Sequence, residues 1–322
     1  MVRCDNGIRM SSEKRTTAGH SAEYQTFLAR LRVLLPEDYR DRYEEVEPVS
    51  MGSAGLKYGS DGRVAWNEIW QSFCDLAMAG GPPHKGSLLE PASRGEILQE
   101  QDFYRQVTLE LCRGIEMVTG LAAEPSLIAG WIHVDCPSAT MAGWLARAIN
   151  MENVSAYASG MVLHLPAGPQ FRIEKEIKNV VTSIAKTCHY WLQHMSATQH
   201  RDVADLFEIM ESESPFIQAP FSTQDTRGPE FEALRGRIAE DIHSLTGLDA
   251  TGVSYHGWLG IDCKGVRPAI EMMRAISVCN VLSRREGNLA YVPVNPITDG
   301  SGETVTKAVE RASRLAGATT AV

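Results

Sequence analysis

Residues 130–154 read GWIHVDCPSATMAGWLARAINMENV, and residues 257–281 read GWLGIDCKGVRPAIEMMRAISVCNV. Both stretches belong to an ungapped alignment of residues 116–166 with residues 243–293, in which sixteen of fifty-one positions are identical. Identity at this level without a gap predicts that the chain contains an internal duplication. The duplication indicates an architecture and does not by itself indicate a reaction.

Each copy predicts the order helix–strand–helix–strand–strand–helix. The first helix of each copy ends at a glycine, which can adopt the left-handed conformation that closes a helix. Strands are indicated by β-branched and aromatic residues, and each hairpin turns at a glycine that both copies share, Gly160 or Gly287. The predicted elements are 100–119, 126–134, 140–151, the hairpin around Gly160 and 174–193, and then 230–246, 253–261, 267–279, the hairpin around Gly287 and 303–315.

The predicted fold class is therefore α+β, with two tandem units related by pseudo-twofold symmetry, as in a symmetric dimer. An N-terminal leader and helical extension covers residues 1–95, with helices at 22–35 and 65–79. Unit 1 covers residues 96–210 and unit 2 covers residues 230–322. Residues 211–229 contain three prolines and a glycine, which predicts a linker.

Composition excludes several classes of protein. The 322 residues include 31 basic and 40 acidic side chains, a net charge of −9, which disfavours a nucleic-acid partner. No stretch is apolar for long enough to cross a membrane, and the first residues lack the apolar core of a secretion signal. Seven separated cysteines without a CxxC motif indicate free thiols. We expect a soluble cytoplasmic protein.

The pairs Asp135-Cys136 and Asp262-Cys263 occupy matching positions, where a strand ends and a helix follows. A carboxylate there can cap the helix, which is the structural interpretation. A thiol at a helix N-terminus has a lowered pKa, which is the catalytic interpretation. Against catalysis, no histidine next to the pair is shared by both copies, since Gly260 stands where the first copy has His133.

Arg147 and Arg274 match each other within apolar helices. A buried guanidinium needs a partner, so we expect pairing with Asp135 or Asp262, or binding of an anion. Asn153 and Asn280 suit the ends of these helices.

Positions that differ between the copies are better candidates for function. Arg284, Arg285 and Glu286 stand where the first copy has Tyr157, Ala158 and Ser159, and could hold an anionic molecule. The alternative is an exposed, charged hairpin. Ahead of the repeats, Gly80–Gly86 places His84 and Lys85 in a loop that lacks the spacing of a phosphate-binding loop. We expect this loop to cover a site.

The last candidates are Cys188 and three histidines, His189, His194 and His200. Metal ligands on one α-helix are three or four residues apart, and these histidines are not, so no metal is predicted. The chain has no GxSxG motif, and it indicates no cofactor.

We therefore expect a protein that binds a small anionic metabolite in a cleft between the units. It could be a metal-free enzyme that uses Asp135, Cys136, Asp262, Cys263 and His84, with Lys85, Arg147, Arg274, Arg284, Arg285 and Glu286 binding substrate. The alternative is a non-catalytic accessory or regulatory subunit that packs on a partner through its duplicated sheet. The sequence leaves a homo-oligomer open.

Overall fold

The computed structural model describes residues 22–40, 55–69, 76–222, 226, 228–251 and 255–320. Within them the fold is mixed α+β, with α-helices and two small antiparallel sheets. The helices are α1 Ala22–Leu34, α2 Arg94–Gln99, α3 Gln101–Thr119, α4 Ala139–Met151, α5 Lys178–His189, α6 Ala197–Glu213, α7 Pro229–Thr246, α8 Val266–Ser277 and α9 Glu303–Thr320. The strands are β1 Ala123–Pro125, β2 Trp131–Asp135, β3 Tyr157–Ser159, β4 Val162–Pro166, β5 Ala250–Thr251, β6 Trp258–Asp262, β7 Arg284–Glu286 and β8 Leu289–Pro293.

The two sheets have the same strand order, β1-β2-β4-β3 and β5-β6-β8-β7. Their registers also correspond, because Trp131 lies opposite Pro166 and Trp258 lies opposite Pro293. The sequence predicts three strands in each half of the chain, residues 96–210 and residues 230–322. The described residues form four strands in each half. Each half contains an additional short edge strand, β1 or β5, directly after its first helix.

The predicted strand 126–134 is wrong over its first half. Residues 126–130 form a turn between β1 and β2, in which the Ser126 hydroxyl accepts a hydrogen bond from the Ile128 N–H, at 3.1 Å. Gly130 has a φ of 85°, which a β-branched or aromatic residue would adopt only with strain. The matching prediction for 253–261 has the same outcome in its described part, where β6 begins at Trp258.

The predicted helix 65–79 is also wrong where it is described. It forms two short 3-10 turns, Trp66–Glu68 and Ala77–Ala79, and Leu76 between them is extended. Residues 70–75 of this prediction lie outside the described residues. Trp66, within this segment, is fully buried.

The helices that begin and end the halves agree better with the sequence. Helices α3 and α7 end at Gly120 and Gly247, both left-handed, as predicted. The predicted helix 174–193 consists of α5 flanked by two π-helical segments, Ile173–Ile177 and Tyr190–His194. Helix α6 follows it and was not predicted.

Most of the buried apolar side chains of both halves form one hydrophobic core. Helix α4 contacts β3 and β4, and α8 contacts β7 and β8. Every residue from Met141 to Met151 is buried, so α4 has no solvent face. A second, smaller cluster joins Leu88 to three residues of the second half, Trp258, Leu282 and Tyr291.

Two extended segments, one around Leu89 and one around Ile217, occupy matching positions in the two halves. Leu89 bridges Val154 in parallel, and Ile217 bridges Val281 in parallel, so each segment is held at the same place in its own half. Gly257 lies so close to the Pro220 ring that a Cβ would overlap it, and Gly130 is equally close to the Ala92 carbonyl. Ile217, within the stretch predicted as a linker, 211–229, is fully buried.

Candidate functional site

The structure brings together two of the predicted groups, the His84 loop and the hairpin strand Arg284–Glu286. Asn153 connects them, because its side-chain amide donates to the Lys85 carbonyl at 2.8 Å and to the Arg285 carbonyl at 3.0 Å. The Leu88 N–H donates to the Glu286 carboxylate at 2.9 Å. Asn153 is left-handed, with a φ of 59°, so a helix end predicted as structural also organises this junction.

The buried ion pair between Lys186 and Glu152 anchors the His84 loop. Lys186 Nζ lies 2.7 Å from the Glu152 carboxylate, and both side chains are almost completely removed from solvent. The same carboxylate accepts the backbone N–H groups of Ala77 and His84, each at 3.0 Å. Burial, and then the charge of Lys186, hold the pKa of His84 well below its usual value. His84 is therefore neutral at pH 7.

Arg284 is enclosed by aromatic rings. Its guanidinium carbon lies 4.0 Å from the ring centre of Tyr291, 4.5 Å from that of Tyr255 and 5.1 Å from that of Trp258. It donates to Glu286 at 2.6 Å and to Asn153 at 3.1 Å. Burial lowers the pKa of Arg284. The predicted exposed, charged hairpin is thus a buried contact between the halves, stabilised by cation–π interactions.

A cavity of about 480 Å³ opens beside this junction. Lys85, Glu90, Arg172 and Glu176 supply charged groups to its wall, and His256 enters from the second half. Two further cavities adjoin it along Pro91, and Trp131, Phe221 and Trp258 line them. Pro91 lines all three cavities, which together form one groove lined by residues of both halves.

Glu90 and His256 form the most distinctive pair in this groove. The Glu90 carboxylate accepts the His256 backbone N–H at 2.8 Å. Burial raises the pKa of Glu90, and the charge of His256 partly offsets this. A carboxyl group with a raised pKa in a cleft is a candidate acid–base group.

Neither Glu90 nor His256 was among the residues predicted from the sequence. His256 aligns with Ala129 in the first copy, so the comparison that singled out Arg284 could also have found it. Glu90 was not accessible in this way, because it precedes the aligned region. Its counterpart, Gln218, becomes evident from the matching bridges of Leu89 and Ile217.

The Asp-Cys pairs lie apart from this groove, at the opposite ends of β2 and β6. Burial raises the pKa of Cys136 to about 12 and that of Cys263 to about 11, and the adjacent carboxylates add to the increase. The predicted lowering of the thiol pKa is therefore wrong in direction. Burial disfavours the thiolate, and this outweighs any stabilisation by the helix N-terminus.

The two aspartates do not cap the helices that follow. Ser138 is the N-cap of α4, and its hydroxyl accepts the Met141 N–H at 3.1 Å. Asp135 instead lies 3.0 Å from His133. Asp262 accepts the Lys264 N–H at 2.8 Å and the Asn288 side-chain amide at 2.7 Å. The Asp262 carboxylate thus stabilises the turn after β6, whereas Asp135 pairs with a side chain of its own strand.

Arg147 and Arg274 do not contact the aspartates named as their candidate partners. Arg147 donates a hydrogen bond to the Asn280 side chain at 2.7 Å, and its guanidinium stacks between the rings of Phe207 and Phe216. Burial lowers the pKa of Arg147 to about 9. Arg274 donates to the carbonyls of Met78 and Ala79. Each arginine thus joins its helix to a distant segment.

No protein family model, curated protein or solved structure matches this chain. Among the described residues, no helix is long and apolar enough to cross a membrane. In the same part of the chain, no group of three histidine, cysteine or acidic side chains is arranged to hold a metal ion. The site's own geometry therefore carries the functional argument.

Proposed function

We propose that the chain consists of two copies of one unit related by a pseudo-twofold axis. Three observations support this: the sixteen shared residues, the common strand order, and the corresponding strand registers. The left-handed residues Asn153 and Asn280 also correspond, with φ values of 59° and 60°. Chance similarity would not be expected to repeat an unusual backbone conformation at aligned positions.

We further propose that the groove between the two units binds a small anionic metabolite. The observation that carries this proposal is the cavity of about 480 Å³, to which both halves contribute. Lys85 and Arg172 provide its positive charge, beside the carboxylates of Glu90, Glu96 and Glu176. Burial lowers the pKa of Lys85, which shows that its ammonium group is partly desolvated. A desolvated cation binds an anion more strongly than an exposed one does.

In the catalytic form of this proposal, Glu90 is the proton donor. Burial raises the pKa of Glu90, which favours the protonated carboxyl group, and the His256 backbone N–H lies 2.8 Å from it. General acid catalysis requires such a group within reach of the bound substrate. This assignment replaces Cys136 and Cys263, whose thiols are protonated at neutral pH.

Thermal unfolding in the presence of inorganic phosphate, pyruvate, succinate and citrate tests the binding proposal. A ligand present at about 100 times its Kd stabilises the folded state by about 2.7 kcal/mol, which raises the Tm by several degrees. We expect at least one of these anions to do so for the wild type. The increase should be lost in Lys85→Met and Arg172→Gln.

Arg201→Gln is the matched control, because Arg201 lies on α6 and its side chain bonds to Thr198 away from the groove. It should retain the full increase. An equal increase in all three variants would place the anion elsewhere and contradict the proposal. If none of the anions raises the wild-type Tm, the anionic ligand is wrong and the accessory-subunit hypothesis remains.

A further inference from the structure

Two histidines that the sequence separates by five residues face each other in the structure. His189 ends α5, and His194 ends the π-helical segment that follows. Their Nε2 atoms are 3.1 Å apart. On an α-helix a separation of five would place these side chains on different sides, which is why no metal was predicted. In a π-helix the backbone hydrogen bonds link residues five apart, so residues at this separation lie on the same side of the helix. Single π-helical turns are frequent at functional sites.

The surroundings of His194 are those of a metal-binding histidine. Its Nδ1 lies 2.8 Å from the Asp38 carboxylate, so the Nδ1–H tautomer is favoured and a lone pair remains on Nε2. Ligating histidines in proteins almost always have such a carboxylate or carbonyl behind them. The His194 side chain is 34% exposed, which gives an ion a path from solvent.

The relative position of the two rings also suits a shared ion. Their centroids are 4.9 Å apart, closer than a straight hydrogen bond between Nε2 atoms 3.1 Å apart allows. The rings must therefore lean. An ion held about 2 Å from each nitrogen, the length of a Zn–N bond, requires both rings to lean to the same side.

We propose that His189 and His194 bind a divalent first-row transition-metal ion, represented by Zn²⁺, with Asp38 as the residue that positions His194. Imidazole nitrogen is a preferred ligand for these ions. The two nitrogens leave the remaining coordination positions to water, so the ion is exchangeable and open to a further ligand. Tyr190, whose ring centroid is 4.9 Å from that of His194, forms the wall of the site.

His200 is not part of the site. Its ring stacks on Trp191 at 4.2 Å, and its Nε2 interacts with the Trp191 carbonyl at 2.8 Å. The residues of the site belong to α5, the second π-helical segment and the turn after α1. None of them lines the groove between the two sheets. The metal site and the anion site can therefore be tested independently.

Calorimetric titration of the untagged, EDTA-treated protein with Zn²⁺ at pH 7.5 tests the proposal. We expect one saturable site per chain, lost in His189→Gln and in His194→Gln. Asp38→Asn should bind about 10- to 100-fold more weakly, because it removes the positioning carboxylate but neither ligand. Binding should also weaken at pH 5.5, since protons compete for the imidazole nitrogens.

His243→Gln is the matched control. His243 forms the same kind of pair with Asp249, at 3.2 Å, but the described residues place no second imidazole against it. This variant should bind Zn²⁺ like the wild type. The Tm of every variant without metal establishes that it is folded. A wild type that does not bind Zn²⁺, or unchanged binding in folded His194→Gln, would show that the two imidazoles share only a hydrogen bond and would overturn the proposal.

Discussion

Glu152 illustrates how one residue can connect the function of a site to the stability of the fold. Its carboxylate binds Lys186 and two backbone N–H groups, one of which belongs to His84. All of these groups are shielded from water. A buried charge is tolerated when it is paired, and it becomes very costly when its partner is removed.

Replacing Lys186 by Met should therefore destabilise the protein by about 3–5 kcal/mol, because it leaves the Glu152 carboxylate buried without a counter-ion. Urea unfolding measures the change. The double variant with Glu152→Gln should recover part of the loss. Lys307→Met is the control, since the pair Lys307–Glu303 is exposed and contributes little to stability. Equal losses for Lys186→Met and Lys307→Met would contradict a buried pair.

At the residue scale, the sequence predicted part of the candidate site. Comparing the copies singled out Arg284, Arg285 and Glu286, and the structure places the His84 loop against this strand. Their role in binding stays a prediction. The comparison could not show that Arg284 is buried under three rings, because Tyr255, Trp258 and Tyr291 reach it only through the strand register and the turn before β6. The direction of the thiol pKa also depends on burial, which a single sequence does not specify.

At the scale of elements, two glycines differ in what makes them necessary. Gly257 lies just before β6, and Gly287 lies in the turn between β7 and β8. Gly257 has a φ of 76° and contacts the Pro220 ring, whereas Gly287 has a φ of 54° and open space around it. Both are left-handed, and both are shared between the copies. The first is needed for conformation and close approach, and the second for conformation alone.

Gly287→Ala should cost about 1–2 kcal/mol, the price of a left-handed alanine. Gly257→Ala should cost clearly more, because the added Cβ displaces the segment that ends at Pro220. The free energy of unfolding in urea gives both values. Adding Pro220→Ala to Gly257→Ala should recover part of the excess, while it should not improve Gly287→Ala. If the two single variants are equally stable, the close approach has no energetic importance.

Elements with a local signal were predicted well, and those without one were missed. Helices α3 and α7 have glycine ends, and the hairpins have glycine turns, all of which are encoded within a few residues. The edge strands β1 and β5 are three and two residues long, too short for an alternating pattern. The π-helical segments likewise leave no periodic signal.

At the scale of the whole molecule, contacts across the halves make them interdependent. Arg147 of the first half donates to Asn280 of the second, and Asn153 accepts from Arg284. Gln218, which precedes the second half, binds both the N–H and the carbonyl of Ala158 in β3. The duplication predicted two units, but it gave no measure of how strongly they are joined.

Asn280→Ala should therefore destabilise both halves, although it lies in the second. Loss of a hydrogen bond to a charged group costs about 1.5–3 kcal/mol. Hydrogen exchange followed by mass spectrometry should show the same loss of protection in peptides that cover β2 and β6. Lys307→Met, at an exposed pair, should change neither. Loss of protection confined to β6 would mean that the halves unfold independently.

The small cluster around Leu88 has a consequence for synthesis on the ribosome. Leu88 precedes the first sheet, yet it packs against Trp258, Leu282 and Tyr291, which are translated much later. Domains generally fold as they emerge, with the N-terminal one first. Leu88 therefore stays uncovered until these later residues have been translated. We expect the nascent chain to be most prone to aggregation in the interval before β6 and β8 leave the exit tunnel.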